Sequence, residues 1–312
     1  MLVFFIHGVG TKNASYADHL IRNTKSELFR QCTEQPVNFY SSFWGNLFNN
    51  KKHQVVEYLD KDISRFCTNH PEYEDYCSRI YRYKQRREKL INNFLGDFLI
   101  YQNPKRGKMI RSAILEQFNQ FLKDHPESQE IHFVAHSLGS FILWDLLFSD
   151  DLDSNDPAYL LREKLDQIEL ASITTLGSPL LFLKQMFDLD FSAIATHLAK
   201  PKKANLESSC KLRWVNVIHS SDLVAYPLHA AIEKEISSEL FFCDQYVWEY
   251  ANPTEQTLLY LDRVDLAMVV AAEDAHSAYF YDNSDGAITA KILTQNLLDE
   301  TKKLRERCVH PR

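Results

Sequence analysis

The sequence predicts an α/β protein: a mostly parallel central sheet flanked by helices, with helical insertions. Three observations predict it. Short apolar runs rich in β-branched and aromatic residues recur along the chain. Stretches with helical spacing alternate with them. One apolar run ends in a tight small-x-Ser-x-Gly turn that passes straight into an apolar helix. Continuously apolar runs suit parallel strands covered on both faces, and strand–helix alternation implies right-handed crossovers.

The first run, Leu2–Ile6, has no Lys/Arg leader and leads directly into His7-Gly8, so it reads as a core strand and not as a signal segment. A helix is expected over Ala17–Gln31, after the turn-like Lys12-Asn13-Ala14-Ser15, and a second strand over Val37–Tyr40. Met109–Leu122 carries apolar residues at helical spacing and stops near His125-Pro126. Strands follow at Ile131–Ala135, Ile173–Leu176 and Trp214–Ile218, with a helix over Ser140–Phe148. Leu266–Val270 is ambiguous between strand and helix, and a last helix is expected over Ala287–Arg305. Two segments exceed this minimal pattern, at about 45–108 and 180–211. No internal repeat or linker divides the chain, so the expectation is one domain over residues 1–312 with two helical insertions.

Length and composition fit that reading. A chain of 312 residues, 45% hydrophobic and 25% charged, can bury a large core. A net charge of -7 argues against nucleic acid as a partner, because phosphate binding needs a basic face. The six cysteines are scattered without a C-x-x-C pair, which argues against a disulfide framework or a cysteine zinc site. No run reaches the length of a membrane span; the expectation is a cytoplasmic protein, with peripheral membrane contact left open.

The window Ile131 to Ser140 is the most informative. A strand runs into Ala135-His136-Ser137-Leu138-Gly139 and a helix begins at once, the context of a nucleophile elbow. The helix N-terminus favours developing negative charge. Ser137 is therefore the candidate nucleophile, and alanine replaces the usual first glycine. Acyl transfer also needs two backbone N–H groups aimed at the oxygen that becomes negative. Leu138, after the nucleophile, and Val9, in the His7-Gly8-Val9-Gly10 loop, are the candidates.

Partners of Ser137 belong in later loops at strand ends, in the order Ser, acid, His. Asp222 lies in the loop leaving Trp214–Ile218, with Asp244 and Asp265 as fallbacks. His276 lies between Leu266–Val270 and the last helix; His219 and His229 compete, but stand too near Asp222 in sequence. A carboxylate at Nδ1 would leave Nε2 free to take the serine proton.

With these residues the chain resembles the α/β-hydrolase superfamily, in its lipase/esterase branch, which includes GPI inositol-deacylase-like and related bacterial hydrolases. The likeness rests on the His7-Gly8 loop, Ala135 to Gly139, Thr175-Leu176-Gly177-Ser178-Pro179-Leu180 and the windows around Asp222 and His276. The resemblance implies the α/β-hydrolase fold and a cofactor-free acyl-enzyme mechanism on an acyl ester or lipid. The same residues also serve thioester or amide cleavage and acyl transfer, and a silent hydrolase fold used for binding is the rival of another class.

Three lesser signals remain. Leu180–Leu183 and Phe187–Phe191 read as ordinary helix packing, or as a lid or an acyl-chain wall. The Tyr- and Arg-rich stretch from Tyr73 to Arg87 reads as a solvated helical face, with contact to a phosphate or a membrane surface as the alternative, and the cluster Lys200–Lys203 reads as a loop.

Overall fold

The computed structural model describes the chain except residues 34–35, 74–95, 199–210, 237, 239, 249–252 and 310–312. The Arg-rich stretch and the Lys200–Lys203 cluster lie outside the described residues.

One sheet of six parallel strands organises the rest. The strands are β1 (Leu2–Ile6), β2 (Asn38–Ser41), β3 (Glu130–His136), β4 (Glu169–Leu176), β5 (Leu212–His219) and β6 (Leu240–Val247), in the order β2-β1-β3-β4-β5-β6. The chain starts in the middle, steps once to β2, returns past β1 and then winds one way. That reversal beside β1 places the ends of β1 and β3 at the switch point, where the crevice of an open α/β sheet forms.

The helices are α1 (Asp18–Arg30), α2 (Asn49–Asn69), α3 (Gly96–Gln102), α4 (Pro104–Asp124), α5 (Leu138–Leu147), α6 (Pro157–Leu165), α7 (Leu180–Phe187), α8 (Ala193–Leu198), α9 (His229–Ile232), α10 (Pro253–Tyr260), α11 (Val264–Ala275), α12 (Ser284–Leu297) and α13 (Thr301–Val309). Helices α1, α12 and α13 cover one face of the sheet; α4, α5 and α6 cover the other. Side chains alternate across a strand, so Leu2, Phe4 and Ile6 enter the core under α4 and α5, while Val3 and Phe5 meet α1 and α12. Every residue of α5 is buried, as expected of a helix apolar all round.

The structure decides one open sequence expectation and corrects others. Leu266–Val270 is helical, inside α11: twelve residues of mostly Leu, Ala and Val without a turn signal are too long for a short strand. The last strand is β6, Leu240–Val247, a strand absent from the sequence expectations. The final helix is two helices, because Asp299 adopts φ +57° and breaks the run. The first insertion also ends earlier than expected, since α4 begins at Pro104 with Asn103 capping it through the Arg106 N–H. Cys67 is disulfide-bonded, which the scattered spacing does not predict; Cys32 and Cys243 form no disulfide. Among the described residues, no helix is long and apolar enough to cross a membrane.

Candidate active site

Strand β3 ends at His136 and α5 begins at Leu138, so Ser137 alone makes the turn. Its backbone has φ 54° and ψ -129°, a conformation that costs a non-glycine residue on the order of 1–3 kcal/mol. The Ser137 N–H donates to the Leu176 carbonyl at 3.0 Å, which holds the strained turn against the end of β4.

The structure brings Ser137, His276 and Asp222 together. The Ser137 hydroxyl lies 2.8 Å from His276 Nε2. On the other side of the ring, Nδ1 lies 3.0 and 2.9 Å from Asp222 Oδ1 and Oδ2. A carboxylate only accepts, so Nδ1 carries the proton and Nε2 accepts from the serine. Burial alone would raise the Asp222 carboxyl. The hydrogen bond and charge of His276, the Val224 N–H and the Tyr279 hydroxyl outweigh it, and the group sits below the ordinary carboxylate value.

His276 does not follow a strand, as the sequence suggested, but α11, and it precedes a 3-10 turn at Ala278–Phe280. The other candidates are occupied elsewhere. Asp244 accepts from the Leu228 and His229 N–H groups and from Asn216 Nδ2. Asp265 is exposed beside Arg263, and His219 faces Asp285 at 3.6 Å.

The loop after β1 lies directly on the elbow. A side chain at Gly8 would begin 2.5 Å from Ser137 Cβ and 2.9 Å from the Leu138 nitrogen, so only glycine permits the contact. That packs Gly8, the residue before Val9, against Ser137 and Leu138. The loop is fixed from both ends. His7 Nε2 accepts from the Trp44 N–H at 3.1 Å, which leaves the His7 proton on Nδ1 for the Gly8 carbonyl at 2.7 Å. Gly10 donates to Asp97 Oδ2 at 2.8 Å.

Gly177 closes the opposite wall. With φ +57°, it lies where a side chain would meet Asp222 Oδ2 at 2.9 Å and His276 Cε1 at 3.3 Å. Helix α7 starts three residues later, so Gly177-Ser178-Pro179 is a rigid turn against the acid–base pair. Phe187 at the end of α7 stacks on Phe141 of α5 (centroids 5.6 Å apart) and meets Phe98 of α3 at 6.4 Å.

Sequence reasoning missed three residues of this region. Asp97 sits in the first insertion, far from any motif. Tyr279, three residues after His276, donates to Asp222 Oδ2 at 2.9 Å. His136 precedes the serine, and its Nε2 lies 2.7 Å from the His276 carbonyl. Its place inside the motif is the one signal that could have drawn attention to it.

No family model matches the chain. Over 156 residues, 48% of its length, the chain is 29% identical to a Saccharomyces cerevisiae protein named as a probable phospholipase, mitochondrial. The match spans about a fifth (20%) of that protein. A candidate cell surface hydrolase from Lactobacillus plantarum, a solved structure, aligns over 98% of this chain and 97% of its own at 9% identity, with a TM-score of 0.39. The parallel sheet, its order and the strained serine turn between β3 and α5 make the fold that of the α/β hydrolases, and the chain is similar to hydrolases of the lipase/esterase kind.

Proposed function

We propose that the protein is a serine hydrolase that cleaves carboxylic esters, of lipids or other acyl compounds, through an acyl-enzyme intermediate. The observation that carries this reading is the unbroken hydrogen-bonded chain from Ser137 through His276 to Asp222 at a strained strand–helix turn. Ser137 Oγ attacks the ester carbonyl carbon while its proton passes to His276 Nε2. Asp222 holds the imidazole in the required tautomer and stabilises the imidazolium that forms. The N–H groups of Leu138 and Val9 receive the carbonyl oxygen as it becomes negative. His276 returns the proton to the leaving alkoxide, so an alcohol departs and the acyl group stays on Ser137. Water, deprotonated by the same nitrogen, then releases the acid and restores the serine.

An acyl substrate is supported by the apolar side chains on the elements that lead away from Ser137 and Asp222. Phe141 stands in the first turns of α5, the helix that starts at the residue after Ser137. Phe182, Met186 and Phe187 of α7 and Leu223 and Tyr226 of the Asp222 loop are exposed apolar groups on the two segments that leave this site. The yeast relative's name, probable phospholipase, points to the same class of substrate.

The test is reaction of the purified protein with a fluorescent fluorophosphonate, followed by a panel of carboxylic esters. Wild-type protein should label and hydrolyse esters; Ser137→Ala and His276→Ala, folded by circular dichroism, should do neither. A folded wild type that neither labels nor hydrolyses any ester overturns the proposal.

A further inference from the structure

Asp222 must present one fixed edge to His276, and the structure shows how the carboxylate is held. Oδ1 accepts from the Val224 N–H at 2.9 Å, within its own loop. Oδ2 accepts from the Tyr279 hydroxyl at 2.9 Å. Tyr279 is fully buried, and its hydroxyl accepts from the His219 N–H at 2.8 Å. That backbone N–H can only donate, so the single phenolic proton is left for Asp222. Burial and the Asp222 charge both raise the phenol well above its ordinary value, so it stays a donor at neutral pH. The ring is packed against His136 and His219, with centroids 5.9 and 6.3 Å away, so the hydroxyl cannot swing off.

We infer that Tyr279 is a positioning residue that holds the Asp222 carboxylate in the plane of the His276 ring, so that one short segment, His276 to Tyr279, delivers both the base and the group that aims its acid. The inference rests on the reading of Ser137, His276 and Asp222 as a catalytic triad. Without the hydroxyl, Oδ2 keeps His276 alone, and the Val224 N–H on Oδ1 is left as the other bond that opposes rotation of the carboxylate about its Cβ–Cγ bond. The 3-10 turn at Ala278–Phe280 sets the spacing: it carries Tyr279 back toward the end of β5, where the His219 N–H waits.

The experiment measures fluorophosphonate inactivation, resolved into a maximal rate and a half-saturating concentration, for wild type, Tyr279→Phe, Asp222→Ala and the double variant. Losing one charge-assisted hydrogen bond should slow the maximal rate of Tyr279→Phe by roughly ten- to a hundredfold, with half-saturation unchanged. In the Asp222→Ala background the same substitution should change nothing. An unaltered rate in folded Tyr279→Phe, or equal losses in both backgrounds, overturns the inference.

The low-field proton NMR signal of His276 Nδ1–H gives a readout that does not need reactivity. It should move in Tyr279→Phe. If that variant does not fold, 3-fluorotyrosine at position 279 keeps the hydroxyl but makes it a stronger donor, and the signal should move upfield. An unmoved signal overturns the inference. A wild type that does not react with the fluorophosphonate overturns the triad reading instead, and the NMR result then decides the Tyr279–Asp222 contact by itself.

Discussion

The imidazole of His136 donates from Nε2 to the backbone carbonyl of His276 across 2.7 Å. Burial, and then the nearby charge of His276, push the His136 ring down to about 3, so it is neutral and its one proton serves this bond. The residue before the nucleophile therefore ties down the loop that carries the base. Replacing it with His136→Ala should leave that buried carbonyl without its donor and cost about 1–3 kcal/mol of stability. It should also slow fluorophosphonate labelling by at least about tenfold, since 1.4 kcal/mol in the barrier is a factor of ten. Chemical denaturation and labelling rates check the two effects separately.

Two buried histidines make stability depend on pH. His132, lowered by burial and then by the Arg213 charge, and His136 both sit at about 3 in the folded chain. Unfolded, each takes up a proton below about 6.5. The unfolded state therefore binds more protons between those values, and stability falls as pH falls through the window. The loss reaches about 1.4 kcal/mol per pH unit for each histidine. Denaturation at pH 7.5, 6.5, 5.5 and 4.5 should show this slope, and His132→Asn should reduce it by about one proton. An identical slope in the variant would contradict the prediction.

Asp97 holds the Gly10 N–H and, through it, the loop that contains Val9. Asp97→Ala should slow labelling of Ser137 by roughly tenfold, the effect of one charge-assisted bond to a buried backbone group. Asp97→Asn, which keeps an acceptor of the same shape, should lose less. Equal losses in the two variants would show that the loop responds to the charge and not to the hydrogen bond.

Asp222→Asn keeps the size of the acid but can present an N–H to His276 Nδ1, which favours the wrong tautomer. Hydrolysis should drop by roughly a thousand- to ten-thousandfold. Unchanged turnover would remove Asp222 from the mechanism.

Phe187 spans the gap between Phe141 and Phe98 while remaining partly exposed. Phe187→Ala should lower kcat/KM for p-nitrophenyl octanoate by about tenfold, consistent with lost apolar contact, while hydrolysis of the acetate changes little. Equal effects on both esters would argue against an acyl-chain wall.

Sequence by itself determined the parallel α/β sheet, because buried parallel strands must be continuously apolar and each must be followed by a crossover. It also singled out Ser137, Asp222 and His276 as partners, since a local motif and chain order limit the choice. The tertiary structure decided what depends on contacts remote in sequence. Val264–Ala275 became a helix and Leu240–Val247 the edge strand, a choice that apolar runs of similar composition leave open. Asp97, Tyr279 and Trp44 acquired their places only through hydrogen bonds to residues 87, 57 and 37 positions away. Such bonds leave no periodic trace, because each depends on one donor and one acceptor meeting after the core has packed. The same is true of Gly177, whose missing side chain matters only because Asp222 and His276 have been folded against it.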